Sequence, residues 1–477
     1  MTDVRKNFLI TLASSNANMV INFVGAMFLA RLLTPYEIGV FSVAYVFSGL
    51  LRTIREMGLG TYIVQEQELS PARFRTAFGI SLVLAAITGG IVAALAVPAG
   101  IFFREPGITQ ALYVIAASFL LVPFGATTMS LLRRDLRFTD IAVITTIGTL
   151  AQNVSAILLA WAGHSFMSLA WSSMIGIGAT ILAVIFYRPA DLPWLPSLAE
   201  WRRVLGFSSY VSGSALVSYA NNFLSDLVLG RMLNMEAVAL FNRGKGLSDL
   251  VVTIVQQAVN SVSLPYFSQA LREGRCILAA YVHTSALYNA FALPMCAIMA
   301  VAAEPVILVL FGEQWTSSAP ILEVTCLAIA LTVPTALTPQ VLTAYGEVRA
   351  QFKLDAQSLT IKLILVIACA PLGLVAVAWG YALASLLATA LRLRRMFKLC
   401  HMRLGDLLDT LRPAVVPTAL SVIGPLLVEN TLALPPFATL FLSGVTGGAG
   451  ALAGIMLTRN RIREELLLLL RKQKKAA

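Results

Sequence analysis

Charged and amide side chains stand inside long apolar segments of this 477-residue chain, where such groups are rare. A charged group in hydrocarbon costs roughly 3 kcal/mol on insertion scales, so it usually lines a water-filled space or meets a polar partner. Arginine offers a planar fork of N–H donors that fits phosphate oxygens, and lysine offers a compact ammonium. The sequence therefore predicts a hydrophilic, net-cationic cavity for an anionic, hydroxyl-rich solute. The predicted lining residues are Arg52, Arg55, Lys245, Lys362, Asn18, Asn22, Asn222, Asp226, Asp249, Gln256 and Asn260.

These polar residues recur at helical spacing, so they share helix faces. The four faces contain Thr11, Ser15, Asn18 and Asn22; Tyr45, Ser48, Arg52 and Arg55; Tyr219, Asn222 and Asp226; and Lys245, Asp249, Thr253, Gln256 and Asn260. Structural interpretations also remain open at these positions. The amides can hydrogen-bond neighbouring helices together, Arg55 can be an anchor at the inner membrane surface, and Asp249 can neutralise Lys245 one turn away.

The composition identifies the elements that must position these residues. Hydrophobic residues make up 58% of the chain and charged residues 12%, about half the charged share of a soluble domain. So little polar surface cannot cover a water-soluble core of this size. Hydrocarbon admits only helices or closed barrels, and the apolar runs lack the alternation of a barrel.

We therefore expect an all-α polytopic membrane protein with about fourteen transmembrane helices, twelve being the alternative count. The predicted spans are 8–30, 37–58, 77–103, 109–131, 139–163, 165–187, 205–231, 236–262, 281–311, 318–343, 355–371, 373–397, 411–429 and 435–458.

Most of the 35 Lys and Arg residues fall in alternate connections between these spans and in the last segment, 459–477. Basic connections stay in the cytoplasm, so both termini are predicted to be cytoplasmic and 459–477 to be a basic cytoplasmic tail. The net charge of +11 comes from these interspersed residues. It therefore favours membrane topology over a nucleic-acid partner.

A short repeat relates two parts of the chain at a shift of 200 residues. The identical pairs are Asn22 and Asn222, Phe23 and Phe223, Leu29 and Leu229, Arg31 and Arg231, Leu33 and Leu233, and Phe41 and Phe241. Six spans separate the copies, which predicts two parallel six-helix lobes with the substrate in a central cavity. The predicted lobes are 1–190 and 200–400, followed by two additional helices within 401–458.

Motifs of other chemistries are missing from the sequence. It contains no GxxxxGK[ST] phosphate loop, no HExxH and no GxSxG, so it predicts neither an ATPase nor another enzyme. The five cysteines show no CxxC spacing, and no metal or cofactor is expected.

Six segments, taken in order, resemble bacterial polysaccharide and O-antigen flippases of the multidrug/oligosaccharidyl-lipid/polysaccharide exporter superfamily. They are ARLLTPYEIGVFSVAYVF at 30–47, EMGLGTYIVQEQELSPARFRTAF at 56–78, LGRMLNMEAVALFNRG at 229–244, LPYFSQALREG at 264–274, FGEQW at 311–315 and LTAYGEVRAQFKLDA at 342–356.

The resemblance implies a function as well as a fold. It implies transport by alternating access of an undecaprenyl-pyrophosphate-linked oligosaccharide across the bacterial inner membrane, for O-antigen, exopolysaccharide or capsule synthesis. Its implied partners are this lipid-linked substrate, membrane lipids and a polysaccharide polymerase or export machinery.

Two other functions are weighed against this one. A multidrug or cation antiporter of the same superfamily needs buried carboxylates, whereas predicted spans 2, 8 and 11 carry Arg and Lys. A membrane glycan polymerase or ligase would be expected to need a sizeable outer loop with acid and base residues, and no such loop is visible. The sequence therefore favours the flippase.

Overall fold

The computed structural model describes residues 2–55, 59–66, 70–188, 195–198, 212–432 and 434–458, and these residues form helices and short connections. The α-helices, numbered in chain order, are α1 (Thr2–Leu32), α2 (Pro35–Arg55), α3 (Leu59–Gln65), α4 (Pro71–Phe103), α5 (Pro106–Arg134), α6 (Phe138–Trp161), α7 (Met167–Tyr187), α8 (Ser212–Met232), α9 (Met235–Arg272), α10 (Ile277–Val301), α11 (Ala303–Leu310), α12 (Ala319–Thr332), α13 (Thr338–Ala344), α14 (Val348–Cys369), α15 (Leu374–Leu399), α16 (Leu404–Thr431) and α17 (Pro436–Leu457). Three 3₁₀ turns, Glu313–Ser318, Val333–Thr335 and Ala370–Leu372, connect some of them.

Eleven helical segments of the described chain are long and apolar enough to cross a membrane. The three other predicted spans coincide with α2, α8 and α9, which are long helices that carry predicted polar faces. Large apolar side chains are exposed at the surface, among them Phe186 at 87% and Trp161 at 80% exposure. Such a surface suits hydrocarbon rather than water, so the chain is an all-α polytopic membrane protein.

The structure corrects the predicted single span 281–311. It consists of two helices, α10 and α11, which meet at Ala302. Pro305 explains the break, because proline has no N–H to donate and its ring clashes with the carbonyl four residues earlier, at Val301. Glu304, beside the break, is the single Asp, Glu, Lys or Arg of this otherwise mostly apolar run, so the mean hydropathy of the run did not mark this boundary.

The described chain divides into two compact units, residues 1–239 and 240–477. In the first unit α4 packs on α5, α6 on α7 and α1 on α6, and α8 packs on α2. Its interior includes the fully buried Phe74 and Phe78. The division falls inside α9, and the lobes 1–190 and 200–400 stay a prediction.

The second unit is built around two helix groups. One contains α10, α16 and α17, and the other contains α12, α14 and α15. A buried polar bond joins two helices of the first group, since Asn289 Nδ2 on α10 donates to the Thr410 carbonyl on α16 at 2.9 Å. A second buried bond ties α10 to the turn after α12, where the Tyr281 hydroxyl donates to the Pro334 carbonyl at 2.8 Å.

The repeat seen in the sequence is present in the local structure. Helices α1 and α8 end at Leu32 and Met232, and the next helices begin at Pro35 and Met235, so both boundaries keep the shift of 200 residues. The second hairpin is capped by Asn234, whose Oδ1 accepts from the Ala237 N–H at 2.7 Å. In the first hairpin, Thr34 Oγ1 accepts from the Glu37 N–H at 3.3 Å. Such caps satisfy N–H groups that a helix start leaves without partners.

Candidate functional site

Two lysines that the sequence singled out approach one aromatic ring in the second unit. Lys245 lies on α9 and Lys362 on α14, and their Nζ atoms lie 5.9 Å and 4.6 Å from the centroid of the Tyr381 ring on α15. These distances fall within the range of cation–π contacts. Residues from three helices therefore form one cluster, which we call the lysine cluster: Lys245, Asp249, Lys362 and Tyr381.

Close helix packing sets the position of Tyr381. The preceding residue, Gly380, has no side chain, and a Cβ there would lie 2.9 Å from Cys369 Sγ and 3.2 Å from the Leu365 carbonyl oxygen. Helices α14 and α15 therefore approach closely at this level. Phe241, one turn before Lys245 on α9, contacts the Tyr381 ring edge to face, with centroids 6.1 Å apart.

Asp249 neutralises part of the positive charge of the cluster. Its carboxylate forms an ion pair with the Lys245 ammonium one helical turn away. The Lys245 side chain is 10% exposed, whereas that of Asp249 is 45% exposed. The carboxylate edge of the cluster is thus more open than its ammonium edge. Two ammonium groups and one carboxylate leave the lysine cluster with a net positive charge, which favours a bound anion.

Four predicted residues of the first unit lie on α2 and α8, namely Arg52, Arg55, Asn222 and Asp226. Arg52 is exposed and interacts electrostatically with the hydroxyl of Tyr219, which donates to the Val46 carbonyl at 3.3 Å. Asn222 is exposed, whereas Asp226 is 2% exposed. The side chains of Arg55 and Asn260 lie outside the described residues, and Gln256 is half-buried on α9.

The amides of α1 contact a neighbouring helix. Asn153 Nδ2 on α6 donates to Asn22 Oδ1 at 2.9 Å, and Asn18 Nδ2 donates to Thr145 Oγ1 at 3.4 Å. This arrangement supports the alternative that these residues hold helices together. It does not test whether Asn18 and Asn22 also contact a solute, so that role stays a prediction.

Sequence reasoning missed several side chains of the second unit. Tyr381 stands in an apolar run, and nothing near it in the sequence marks it. Arg243 packs against two aromatic rings, with Cζ 4.9 Å from the Phe311 centroid and 5.1 Å from the Trp315 centroid. Both rings belong to the FGEQW segment, which was noted only for its family resemblance.

Comparisons with known proteins identify related sequences. The family model described as Polysaccharide biosynthesis protein matches residues 28–320. The lipopolysaccharide biosynthesis protein WzxC of Escherichia coli (strain K12) is 23% identical over 304 residues, which cover 62% of this chain and 61% of WzxC. The succinoglycan biosynthesis transport protein ExoT of Rhizobium meliloti (strain 1021) is 26% identical over 344 residues, or 69% of this chain and 67% of ExoT. The match thus spans less than two thirds of WzxC.

Solved structures share the fold at low sequence identity. The lipid II flippase MurJ in an inward closed conformation matches with a TM-score of 0.73 and 13% identity, covering 94% of this chain and 98% of MurJ. An inward-facing multidrug resistance transporter of the MATE family, in the MOP superfamily, matches with a TM-score of 0.64 and 14% identity. It covers 84% of this chain and 99% of that transporter.

Proposed function

Because the chain belongs to the polysaccharide biosynthesis protein family, we propose that it is a flippase for an undecaprenyl-pyrophosphate-linked oligosaccharide. It would move this substrate from the inner to the outer leaflet of the bacterial inner membrane by alternating access, for O-antigen, exopolysaccharide or capsule synthesis. The names of WzxC and ExoT, a lipopolysaccharide biosynthesis protein and a succinoglycan transport protein, support this substrate class. The fold shared with a lipid II flippase is compatible with it.

The observation that carries the proposal is the net positive charge of the lysine cluster. A pyrophosphate head group is anionic, and two ammonium groups within 6 Å of one ring centroid can attract its oxygens. Their attraction for an anion is stronger among helices than in water, because the effective dielectric is lower there. The half-exposed Asp249 carboxylate marks the side from which a hydrated head group would approach.

Asp249 also gives the cluster a way to release its ligand. It competes with an arriving phosphate for the Lys245 ammonium, since both are anions seeking the same N–H donors. Binding that replaces one ion pair by another is weaker than binding to an unpaired cation. A transporter needs such moderate affinity, because its substrate must leave again on the other side.

Further residues are proposed as substrate contacts on weaker grounds. Arg52 and Asn222 are exposed in the first unit, and arginine and amide groups can hydrogen-bond phosphate and sugar hydroxyls. Both termini are proposed to be cytoplasmic because the basic connections alternate along the chain. A polysaccharide polymerase or export complex is proposed as the partner that receives the flipped substrate.

A cation antiporter is the second candidate, and one residue favours it. Asp226 is a carboxylate at 2% exposure on α8, and cation exporters require such groups. The MATE-like fold is also compatible with this function. Glycan transport is preferred because the lysine cluster has the opposite sign of charge. Increased resistance to cationic drugs on expression, without effect on surface polysaccharide, would favour the antiporter.

Three single variants test the flippase proposal: Arg52→Ala, Lys245→Ala and Lys362→Ala. Each is expressed in a bacterium lacking its own flippase but making the matching glycan, and surface polysaccharide is measured at equal membrane protein levels. Lys245→Ala and Lys362→Ala should lower the yield about tenfold or more. Lys398→Ala is the matched control, since Lys398 is exposed in the last turn of α15. Full activity in all three variants would rule out the proposed cationic substrate site.

A direct assay separates binding from downstream synthesis. The purified full chain is placed in proteoliposomes with a fluorescent undecaprenyl-pyrophosphate oligosaccharide, and a membrane-impermeant quencher reports its leaflet. We expect protein-dependent exposure of the label, slowed by Lys245→Ala and Lys362→Ala and unchanged by Lys398→Ala. No exposure above protein-free liposomes would contradict the flippase function.

A further inference from the structure

A second cationic pocket lies at the end of the α14–α15 hairpin remote from its Ala370–Leu372 turn. It has a volume of about 350 Å³, and α14 and α15 both line it. Its polar lining residues are Glu347, Arg349, Lys353, Gln357 and Arg395. It belongs to the second unit and shares no lining residue with the lysine cluster.

Ion pairs at this end of the hairpin leave two basic groups uncompensated. Arg395 pairs with Glu347, and Arg392 pairs with Asp355 at 3.5 Å. Both acidic side chains are thus engaged by arginines of α15. Within the part of the chain that the structure describes, neither Arg349 nor Lys353 forms an ion pair. Both are exposed at the pocket, so the pocket keeps a net positive charge.

The basic residues continue into an apolar stripe along the same face of α14. Arg349, Lys353 and Gln357 follow one another at intervals of four residues, and the face continues through Ile364 and Ile367. These isoleucines are 60% and 43% exposed. Lys362 points to the other side, because two residues from Ile364 correspond to about 200° around a helix. One face of α14 is therefore basic at its start and apolar about 20 Å further along.

We propose that this surface binds an anionic phospholipid of the surrounding membrane. The phosphate of the head group contacts Arg349 and Lys353 in the pocket, and an acyl chain lies along Ile364 and Ile367. Charge complementarity selects the anionic head group, and the exposed apolar stripe selects a ligand with a hydrocarbon chain. A soluble anion would use only the first feature, and a neutral lipid only the second. The site is independent of the transported substrate.

Native mass spectrometry of the purified full chain in detergent tests the proposal. Dioleoylphosphatidylglycerol and dioleoylphosphatidylcholine are titrated separately, and bound lipids are counted. The variant R349Q/K353Q should weaken phosphatidylglycerol binding about 25-fold, because each of the two basic residues removed near a lipid surface is expected to account for about fivefold. Binding of phosphatidylcholine should not change.

The control variant R272Q/R275Q removes the same charge at two exposed positions, the last residue of α9 and the connection to α10. It should leave phosphatidylglycerol binding within twofold of the unaltered chain. An equal loss of phosphatidylglycerol binding in both variants would overturn the proposal, because removing basic charge elsewhere on the surface would then have the same effect. A third variant, Ile364→Asn, should weaken phosphatidylglycerol binding.

Free glycerol phosphate distinguishes a lipid site from a soluble-anion site. It carries the phosphate without acyl chains, so it should displace phosphatidylglycerol only at concentrations at least a hundredfold higher. Displacement at equal concentration, or unchanged lipid binding in Ile364→Asn, would overturn the assignment of a lipid. These results do not depend on glycan transport, so failure here leaves the flippase proposal standing.

Discussion

Lys362 and Tyr381 form a cation–π contact in which the Nζ atom lies 4.6 Å from the ring centroid. The same ring lies 5.9 Å from Lys245 Nζ. A ring face attracts a cation by about 0.5–2 kcal/mol, more when water is excluded. The ring thus offsets part of the repulsion between two ammonium groups, in addition to the ion pair with Asp249.

Two substitutions of Tyr381 should distinguish the contribution of the aromatic ring to transport from that of its hydroxyl. Tyr381→Ala removes the ring that both lysines approach, and should slow glycan flipping in proteoliposomes about fivefold to tenfold. Tyr381→Phe keeps the ring and its contact with Phe241, so its flipping rate should stay within twofold of the unaltered chain. Equal losses in both variants would show that the hydroxyl, rather than the ring face, is needed.

The ion pair between Lys245 and Asp249 should respond unequally to removal of its two members. Asp249→Asn leaves a nearly buried ammonium without its carboxylate, and should lower the free energy of unfolding by about 1–2 kcal/mol. This is below the cost of breaking a fully buried pair, because Asp249 is half-exposed. Lys245→Met leaves a carboxylate that water can solvate, so its cost should stay below about 1 kcal/mol.

Thermal or denaturant unfolding of the full chain in detergent measures these two changes. The double variant Lys245→Met with Asp249→Asn completes the cycle and isolates the pair interaction. A larger loss for Lys245→Met than for Asp249→Asn would contradict the burial asymmetry on which the prediction depends.

Gly39 on α2 should tolerate no side chain. A Cβ there would lie 1.8 Å from the carbonyl oxygen of Met235, a backbone atom that cannot rotate away. Gly39→Ala should therefore destabilise the protein by about 1–3 kcal/mol, the usual cost of overpacking. The measurement is the apparent melting temperature in detergent.

Gly90→Ala is the matched control on α4. A Cβ at Gly90 would have no neighbour within 4 Å, and alanine is favoured over glycine in a helix by roughly 0.5–1 kcal/mol. We expect an unchanged or higher melting temperature. A melting temperature of Gly39→Ala that matched this control would refute the close approach of α2 to Met235.

Asn22 should contribute to the stability of the first unit through Asn153. Asn22→Ala removes the acceptor of the 2.9 Å bond from α6, and such interhelical bonds are worth about 0.6 kcal/mol on average and up to about 1.7. The side chain of Asn16 on α1 is exposed and forms no hydrogen bond with the described residues. Asn16→Ala should therefore change stability by less than about 0.5 kcal/mol. Equal melting temperatures for the two variants would exclude a structural role for Asn22.

The predicted polar faces of α1 and α9 make different kinds of contact in the structure. The pattern of Asn18 and Asn22 on α1 suits a solute cavity or a helix interface equally well, and the contacts with α6 were needed to reveal the interface. Pairing of Lys245 with Asp249 was an alternative that the sequence left open, because both lie on one helix at a spacing of four residues. Lys362, over a hundred residues later, meets the same ring as Lys245 through packing that no local pattern records.

The sequence by itself determined that this is a helical membrane protein, because hydropathy and helical period are properties of neighbouring residues. It also located the repeated hairpin, whose helix ends depend on local capping by Thr34 and Asn234. Only the tertiary structure identified Tyr381 as the shared partner of two lysines and Asn153 as the partner of Asn22. These contacts arise where distant helices approach, and their geometry depends on packing of the whole unit rather than on the residues alongside.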